Sequence, residues 1–284
     1  VLDFITSNGG VNSVTTYSWE ITAGDSVFAS GALTGDDNIN LPVVNDTDAD
    51  LVATVTVTPT YTNDGVDCIG PSEEFTITVS PTAQVAQVDD IVVCNGDEVA
   101  EIEFATTSEN DIAYSWSIDT EIGTQSLTGI GNIPLFEADN NTNDPIVAIV
   151  TVTPSNDETD PSLTCEGSSI EFTITVNPTA QVDLVDSLDL CNGDTAVVDF
   201  TTSNGGVDSV TTYSWEITDG DSVFVGGASG EGNINLPVIN ETNADLVATV
   251  TVIPTYTNDG VDCTGPSEEF TITVSPTAQV AQVD

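Results

Sequence analysis

The chain contains no lysine, no arginine and no histidine, and sets against that absence 47 aspartates and glutamates, a formal charge of −47 over 284 residues. Without an imidazole, ammonium or guanidinium there is no histidine general base, no Schiff-base lysine, no phosphate-clamping arginine and no Ser-His-Asp triad. Nucleic acid is excluded as a partner, because phosphates are held by neutralising them with basic side chains. An anionic membrane surface is excluded on the same grounds. No apolar run approaches the roughly eighteen residues a membrane helix needs, so no membrane insertion is expected. Initiator methionine, signal peptide and lipidation motif are all missing, and Val1 reads as an internal residue of a longer exported protein. What is left is carboxylate, hydroxyl, amide, thiol and backbone chemistry. A glycosidase-like carboxylate pair does not stand out among 47 acidic candidates, so no enzyme is expected.

The composition nonetheless demands a fold. At 39% hydrophobic the chain is too apolar for a disordered acidic tail. Its organisation is a repeat. Tyr17-Ser18-Trp19, Tyr114-Ser115-Trp116 and Tyr213-Ser214-Trp215 mark three units, and Glu-Phe-Thr-Ile-Thr-Val recurs at 74–79, 171–176 and 269–274. The period is roughly 97 residues, the size of a small domain. The first and third units are nearly identical, the second is more distant, and 276–284 copies 81–89. The expected domains are an N-terminally truncated repeat A over 1–82, a repeat B over 83–179, a second repeat A over 180–277 and the start of a further repeat over 278–284.

Each repeat reads as all-β. In Leu51–Val57 the residues Leu51, Ala53, Val55 and Val57 alternate with Val52, Thr54 and Thr56, and Phe75, Ile77 and Val79 alternate with Thr76 and Thr78. A period of two is the mark of half-buried strands. Asn-Gly, Asn-Asp-Gly and Gly-Asp turn signals fall between them, and no stretch sustains a 3.6-residue pattern. Short strands with one tryptophan early in each repeat predict tandem immunoglobulin-like β-sandwich domains in an extended array. The tryptophan is expected in the core.

Five cysteines follow the same repeat. Cys94 and Cys165 belong to the second unit, Cys191 and Cys263 to the third, and Cys68 to the first, with its partner expected upstream of Val1. The expectation is a Cys94–Cys165 and a Cys191–Cys263 disulfide, each closing a loop of about seventy residues and contributing up to about 4 kcal/mol. Disulfides imply an oxidising, extracellular compartment. Zinc is a poor alternative, because no Cys-x-x-Cys pair and no histidine is present.

The motifs resemble a known family. Val93-Cys94-Asn95-Gly96-Asp97 and Leu190-Cys191-Asn192-Gly193-Asp194 open two units. Tyr-Ser-Trp, Val-Thr-Val-Thr-Pro, a cysteine just before Glu-Phe-Thr-Ile-Thr-Val, and a Pro-Thr linker follow. Together they look like the PKD-like or Ig-like tandem repeats of giant Bacteroidota cell-surface adhesins and filaments, of the gliding-motility or grappling-appendage type. That resemblance spans the chain and implies type IX secretion, a cell-surface location and a stalk role. The complete lack of Lys and Arg departs from most such repeats and points to a salty or calcium-rich setting.

Three further sets of residues are candidate sites. Calcium, the one cofactor this chemistry suits, takes hard oxygen ligands. Its candidates are the acidic turns with Asp46, Asp48 and Asp50, with Asp64 and Asp67, and the matching Asp245, Asp259 and Asp262. Asn45, Asn140 and Asn240 head N-x-T sequons at equivalent places, which reads as an exposed loop that could carry glycans. Ser26, Ser222 and Thr195 lie in Asp-Ser-Val or Asp-Thr-Ala patterns that look like Bacteroidota O-glycosylation sites.

The leading functional reading is a non-catalytic structural stalk that mediates attachment to cells or surfaces. Its partners would be neighbouring repeats of the same chain, other copies in a homo-oligomeric filament, and a target ligand bound through other domains. The rival is a glycan- or protein-binding Ig-like module, calcium-dependent in one version. It predicts exposed aromatics in loops, with Phe28, Phe224, Tyr61 and Tyr256 as candidates.

Overall fold

The computed structural model describes residues 1–106, 112–124, 126–156 and 165–280, so most of the expected start of a further repeat at 278–284 lies outside the described residues. Every regular element among them is a β-strand. The first repeat contributes β1 (Ser13–Gly24), β2 (Thr34–Asp36), β3 (Leu51–Asn63), β4 (Val66–Ile69) and β5 (Glu73–Val79). The second contributes β6 (Ile91–Cys94), β7 (Glu98–Val99), β8 (Ile112–Ile118), β9 (Thr128–Ile130), β10 (Phe136–Glu137), β11 (Ile146–Asn156) and β12 (Ile170–Asn177). The third contributes β13 (Leu188–Cys191), β14 (Thr195–Val198), β15 (Val210–Gly220), β16 (Ser229–Glu231), β17 (Ile234–Pro237), β18 (Leu246–Asn258), β19 (Val261–Thr264) and β20 (Glu268–Ser275).

The chain divides into two compact units. The first comprises Val1–Gln87, Phe104–Ser115 and Val152–Ile170. The second comprises Val88–Glu103, Trp116–Thr151 and Glu171–Asp284. In the first, β1 and β3 form the centre of a sheet ordered β2-β1-β3-β4, with β5 also on β3. Its core gathers Trp19, Val27, Phe28, Ile39, Ala53 and Val55. The second unit holds the clearest sandwich. One sheet runs β13-β20-β18-β15-β16 with β19 on β18, and the other pairs β14 with β17. Ala196, Val198 and Ile234 from the small sheet and Trp215, Val250, Val252, Phe270 and Ile272 from the large one bury one shared core. The fold is thus all-β, a tandem array of immunoglobulin-like sandwiches.

The alternation in the sequence sets these faces. Ala248, Val250 and Val252 of β18 are fully buried, while the side chains between them point to the other face, as the pleat requires. Trp215 lies in register with Gly230, Trp19 with Gly35, and each indole rests on the bare glycine backbone. A Cβ on Gly230 would stand 2.6 Å from Trp215 Cζ2. Gly230→Ala is therefore expected to force the indole out of its place and cost about 1–3 kcal/mol. A fall in the urea midpoint at unchanged slope checks this.

Beyond the core, β18 and β19 form a long hairpin through the two-residue turn Asp259-Gly260, with φ of 47° and 76°. Asp64-Gly65 makes the same turn between β3 and β4, with φ of 48° and 80°. Both central residues take positive φ, the mirror-image turn that matches strand twist and favours Asn or Asp followed by Gly. Two of the acidic turns are therefore the tips of hairpins.

Candidate functional site at the end of each repeat

The Cys-Asn-Gly-Asp motif is a locked turn that closes the first strand of a repeat. Cys94 ends β6, which runs parallel to β12 with Cys94 opposite Asn177. Asp97 Oδ2 accepts a hydrogen bond from the Cys94 N–H at 3.1 Å, and Gly96 takes φ of 86°, which suits glycine. Asn95 Oδ1 accepts from the Asn140 N–H at 2.8 Å, and Asn95 Nδ2 donates to Thr179 Oγ1 at 2.8 Å. The third repeat copies each bond. Asp194 accepts from the Cys191 N–H, Asn192 accepts from the Asn240 N–H, and Asn192 donates to Thr277.

The sequon asparagines are the second layer of this lock, which corrects the reading of Asn45, Asn140 and Asn240 as exposed glycan acceptors. They are 8%, 2% and 2% exposed. Asn240 Nδ2 donates to the Ala244 carbonyl at 2.8 Å and to the Val274 carbonyl at 2.6 Å. Its Oδ1 accepts from the Thr242 N–H and hydroxyl. Asn140 makes the same bonds to Asp144, Val176 and Thr142, and Asn45 to Ala49, Val79 and Thr47. Both hydrogens of the amide that would carry a glycan are committed to buried backbone carbonyls. Asn-x-Thr here folds a turn and ties it to the last strand, a local use of side-chain amides in place of backbone pairing.

On this end of the second repeat sits the β18–β19 hairpin of the third, within one compact unit. Asn258 Nδ2 donates to Asn177 Oδ1 at 2.8 Å. Gly265 lies against the Ala180 carbonyl so closely that a Cβ would collide with it. Tyr256, 1% exposed, packs with Ala180, Cys263, Cys94 and Val261, and its hydroxyl donates to the Gly205 carbonyl at 2.8 Å. Through the middle of the contact runs a disulfide, Cys94–Cys263, with Cα atoms 5.5 Å apart and 169 residues between them in sequence.

That bond overturns the expected Cys94–Cys165 and Cys191–Cys263 pairs. Cys191 lies opposite Ser275 at one end of β20, where Val274 faces Leu246 at the start of β18. Cys263 lies opposite Tyr256, near the far end of β18. About ten residues at 3.3 Å each separate the two positions, roughly 33 Å against the 7 Å limit for a disulfide. One repeat holds its two cysteines at opposite ends of its longest strand, and Cys94 bridges to the next repeat instead. Cys165 is accordingly not joined to Cys94; its carbonyl accepts from the Asn156 N–H. Cys68 and Cys191 carry exposed free thiols.

The remaining candidates fall in separate places. Asp46, Asp48, Asp50 and Asp245 are exposed in the turns that follow Asn45 and Asn240. Asp64 and Asp259 form hairpin tips, and Asp67 and Asp262 accept from the Thr62 and Thr257 hydroxyls at 2.7 Å. Among the described residues no three acidic or thiol side chains converge where they could hold a metal ion. Ser26, Ser222 and Thr195 are exposed, while the aspartates before them are engaged: Asp25 and Asp221 accept from the Val52 and Val247 N–H groups. Phe28 and Phe224 are core residues, edge-on to Trp19 and Trp215 at 5.4 Å. Tyr61 is half-buried and Tyr256 fully so; among the described residues no aromatic ring is exposed. The Thr173 backbone N–H, 2.6 Å from Asp90 Oδ1, and its hydroxyl hold that carboxyl below the usual range. Burial raises the Tyr114 and Tyr213 hydroxyls, the latter with help from the charge of Asp183.

No protein-family profile matches the chain, and no curated protein does. Among solved structures it is similar to the human desmocollin-1 ectodomain at 14% identity and a TM-score of 0.38, covering 97% of this chain and 57% of that one. It is also similar to the three N-terminal domains of the bacteriophage RB49 highly immunogenic outer capsid protein, at 14% identity and a TM-score of 0.40 over 96% and 92% of the two chains. The I9–I11 tandem of titin follows at 14% identity and a TM-score of 0.29 over 93% and 94%. The chain thus spans 57% of the length of the first of these.

Proposed function

We propose that the chain is a load-bearing segment of a long extracellular repeat protein, a non-catalytic stalk that holds an adhesive part away from the cell. The observation that carries this reading is the disulfide between one repeat and the next. A bridge within a domain stabilises that domain, whereas a bridge across a junction limits hinging between neighbours and removes chain from any extension. Disulfide chemistry also supports an oxidising, extracellular location. The reading takes the domain boundaries from the sequence repeats, at 82/83 and 179/180. The finer setting, a Bacteroidota surface protein exported by the type IX route, follows from the motif resemblance.

The rival binding module calls for aromatic rings in exposed loops, and none is exposed among the described residues. The discriminating experiment has two arms. In a glycan array, a stalk segment binds nothing, and saturable binding by the chain would sink the reading. In thermal unfolding, the 47 acidic side chains repel one another with no basic side chain to offset them. Raising salt from 0.1 M to 1 M shortens the screening length from about 10 Å to 3 Å and is expected to raise the Tm by several degrees. At fixed ionic strength calcium and magnesium should act alike and without saturation; a large, saturable gain with calcium alone would show dedicated sites in the acidic turns.

A further inference from the structure

We infer that Cys191 is the waiting half of a second junction clamp, and that its partner is the hairpin cysteine of a following repeat of the same kind. Two independent features carry this. The first is that the receiving end of the third repeat is built in full. Cys191 ends β13 opposite Ser275 as Cys94 ends β6 opposite Asn177. The Asp194, Asn192, Asn240 and Thr277 bonds then reproduce those of Asp97, Asn95, Asn140 and Thr179. The same architecture holds a disulfide at one end and an exposed thiol at the other.

The second feature is that the hairpin's seat recurs at the earlier junction, within the other compact unit. Gly167 lies against the Ala83 carbonyl as Gly265 lies against Ala180, again too close for a Cβ. Asn156 Nδ2 donates to the Pro81 carbonyl at 3.0 Å, and the Gly167 and Gly265 N–H groups donate to the Pro154 and Pro254 carbonyls. The glycine two residues after a cysteine therefore seats on the linker of the preceding repeat in both places. The rule is that the first-strand cysteine of one repeat bonds the hairpin cysteine of the next. Closing each bond removes two protons and two electrons from two thiols, which pass by exchange to an oxidised dithiol catalyst that is itself reduced. The inference rests on the tandem-array part of the proposed function.

The test extends the full chain with its own residues 90–284, which continues the repeat because 276–284 copies 81–89. Cys165→Ser in the first copy and Cys191→Ser in the second make each cysteine assignable. After expression in an oxidising compartment, free thiols are alkylated. Peptides are then cut at Asp and Glu, since the chain has no trypsin site, and sequenced without reduction. The expected product is a linked pair of first-copy Cys191 and second-copy Cys165, beside a Cys94–Cys263 pair in each copy. Further Cys191→Ser in the first copy should abolish that pair alone. Alkylated Cys191 with both Cys94–Cys263 pairs intact would overturn the inference and leave the stalk reading standing. Cys191–Cys263 or Cys94–Cys165 pairs would overturn both.

Discussion

Pulled by its two ends in an oxidising buffer, the chain is expected to lengthen by about 600 Å less than the same chain after reduction. The Cys94–Cys263 bond short-circuits 169 residues, and an unfolded residue contributes roughly 3.3–3.6 Å of contour. While the bridge holds, force passes through sulfur and the intervening sequence, which includes all of β11 and β18, cannot be drawn out. Single-molecule extension with and without a reducing agent reads this directly. Release of the full length without reduction would remove the basis for a load-bearing clamp. At equilibrium the same bond restricts the unfolded chain over a long loop, which the chain-entropy model sets at about 5 kcal/mol. The Cys94→Ser/Cys263→Ser double variant should show the loss as a lower midpoint in the second unit.

Asn240→Ala is expected to cost the second unit about 3 kcal/mol or more. The substitution leaves the Ala244 and Val274 carbonyls and the Thr242 N–H without their partner in a buried place, and each orphaned group costs about 1–3 kcal/mol before relaxation. Asn240→Asp should fare no better, because a carboxylate has no hydrogens to give those carbonyls. Urea unfolding gives the loss, and the intact mass of the protein from a glycosylating host checks the other side of the point. Asn45, Asn140 and Asn240 should remain unmodified in the folded protein. A glycan found on Asn240, or a variant as stable as the parent, would contradict the buried geometry.

Strand positions and the hairpin turns were legible in the sequence because each rests on a local rule. Alternation marks β3 and β18, and Asn-Asp-Gly marks the turns at Asp64 and Asp259. The cysteine pairing was not legible, and the reason is the repeat itself. Equivalent cysteines recur about every 97 residues, so a partner within the repeat and a partner one repeat on differ by one full period. Spacing cannot separate them. Only length along the strand does: β18 runs unbroken from Leu246 to Asn258, and so long a strand puts the cysteines at its two ends too far apart. The sequons failed for a different reason. Asn-x-Thr is at once a glycan acceptor pattern and an efficient turn-forming set of donors and acceptors, and burial alone tells the two apart.

The bridge also changes what a cut can do. A protease that nicked the Pro-Thr linker at 178–179, or any exposed loop between Cys94 and Cys263, would break the backbone without parting the pieces. The two halves would remain joined through sulfur, with the hairpin still seated against Ala180. An array clamped in this way at every junction would tolerate scattered backbone damage along its length and fail only where a second nick or a reductant reached the same link.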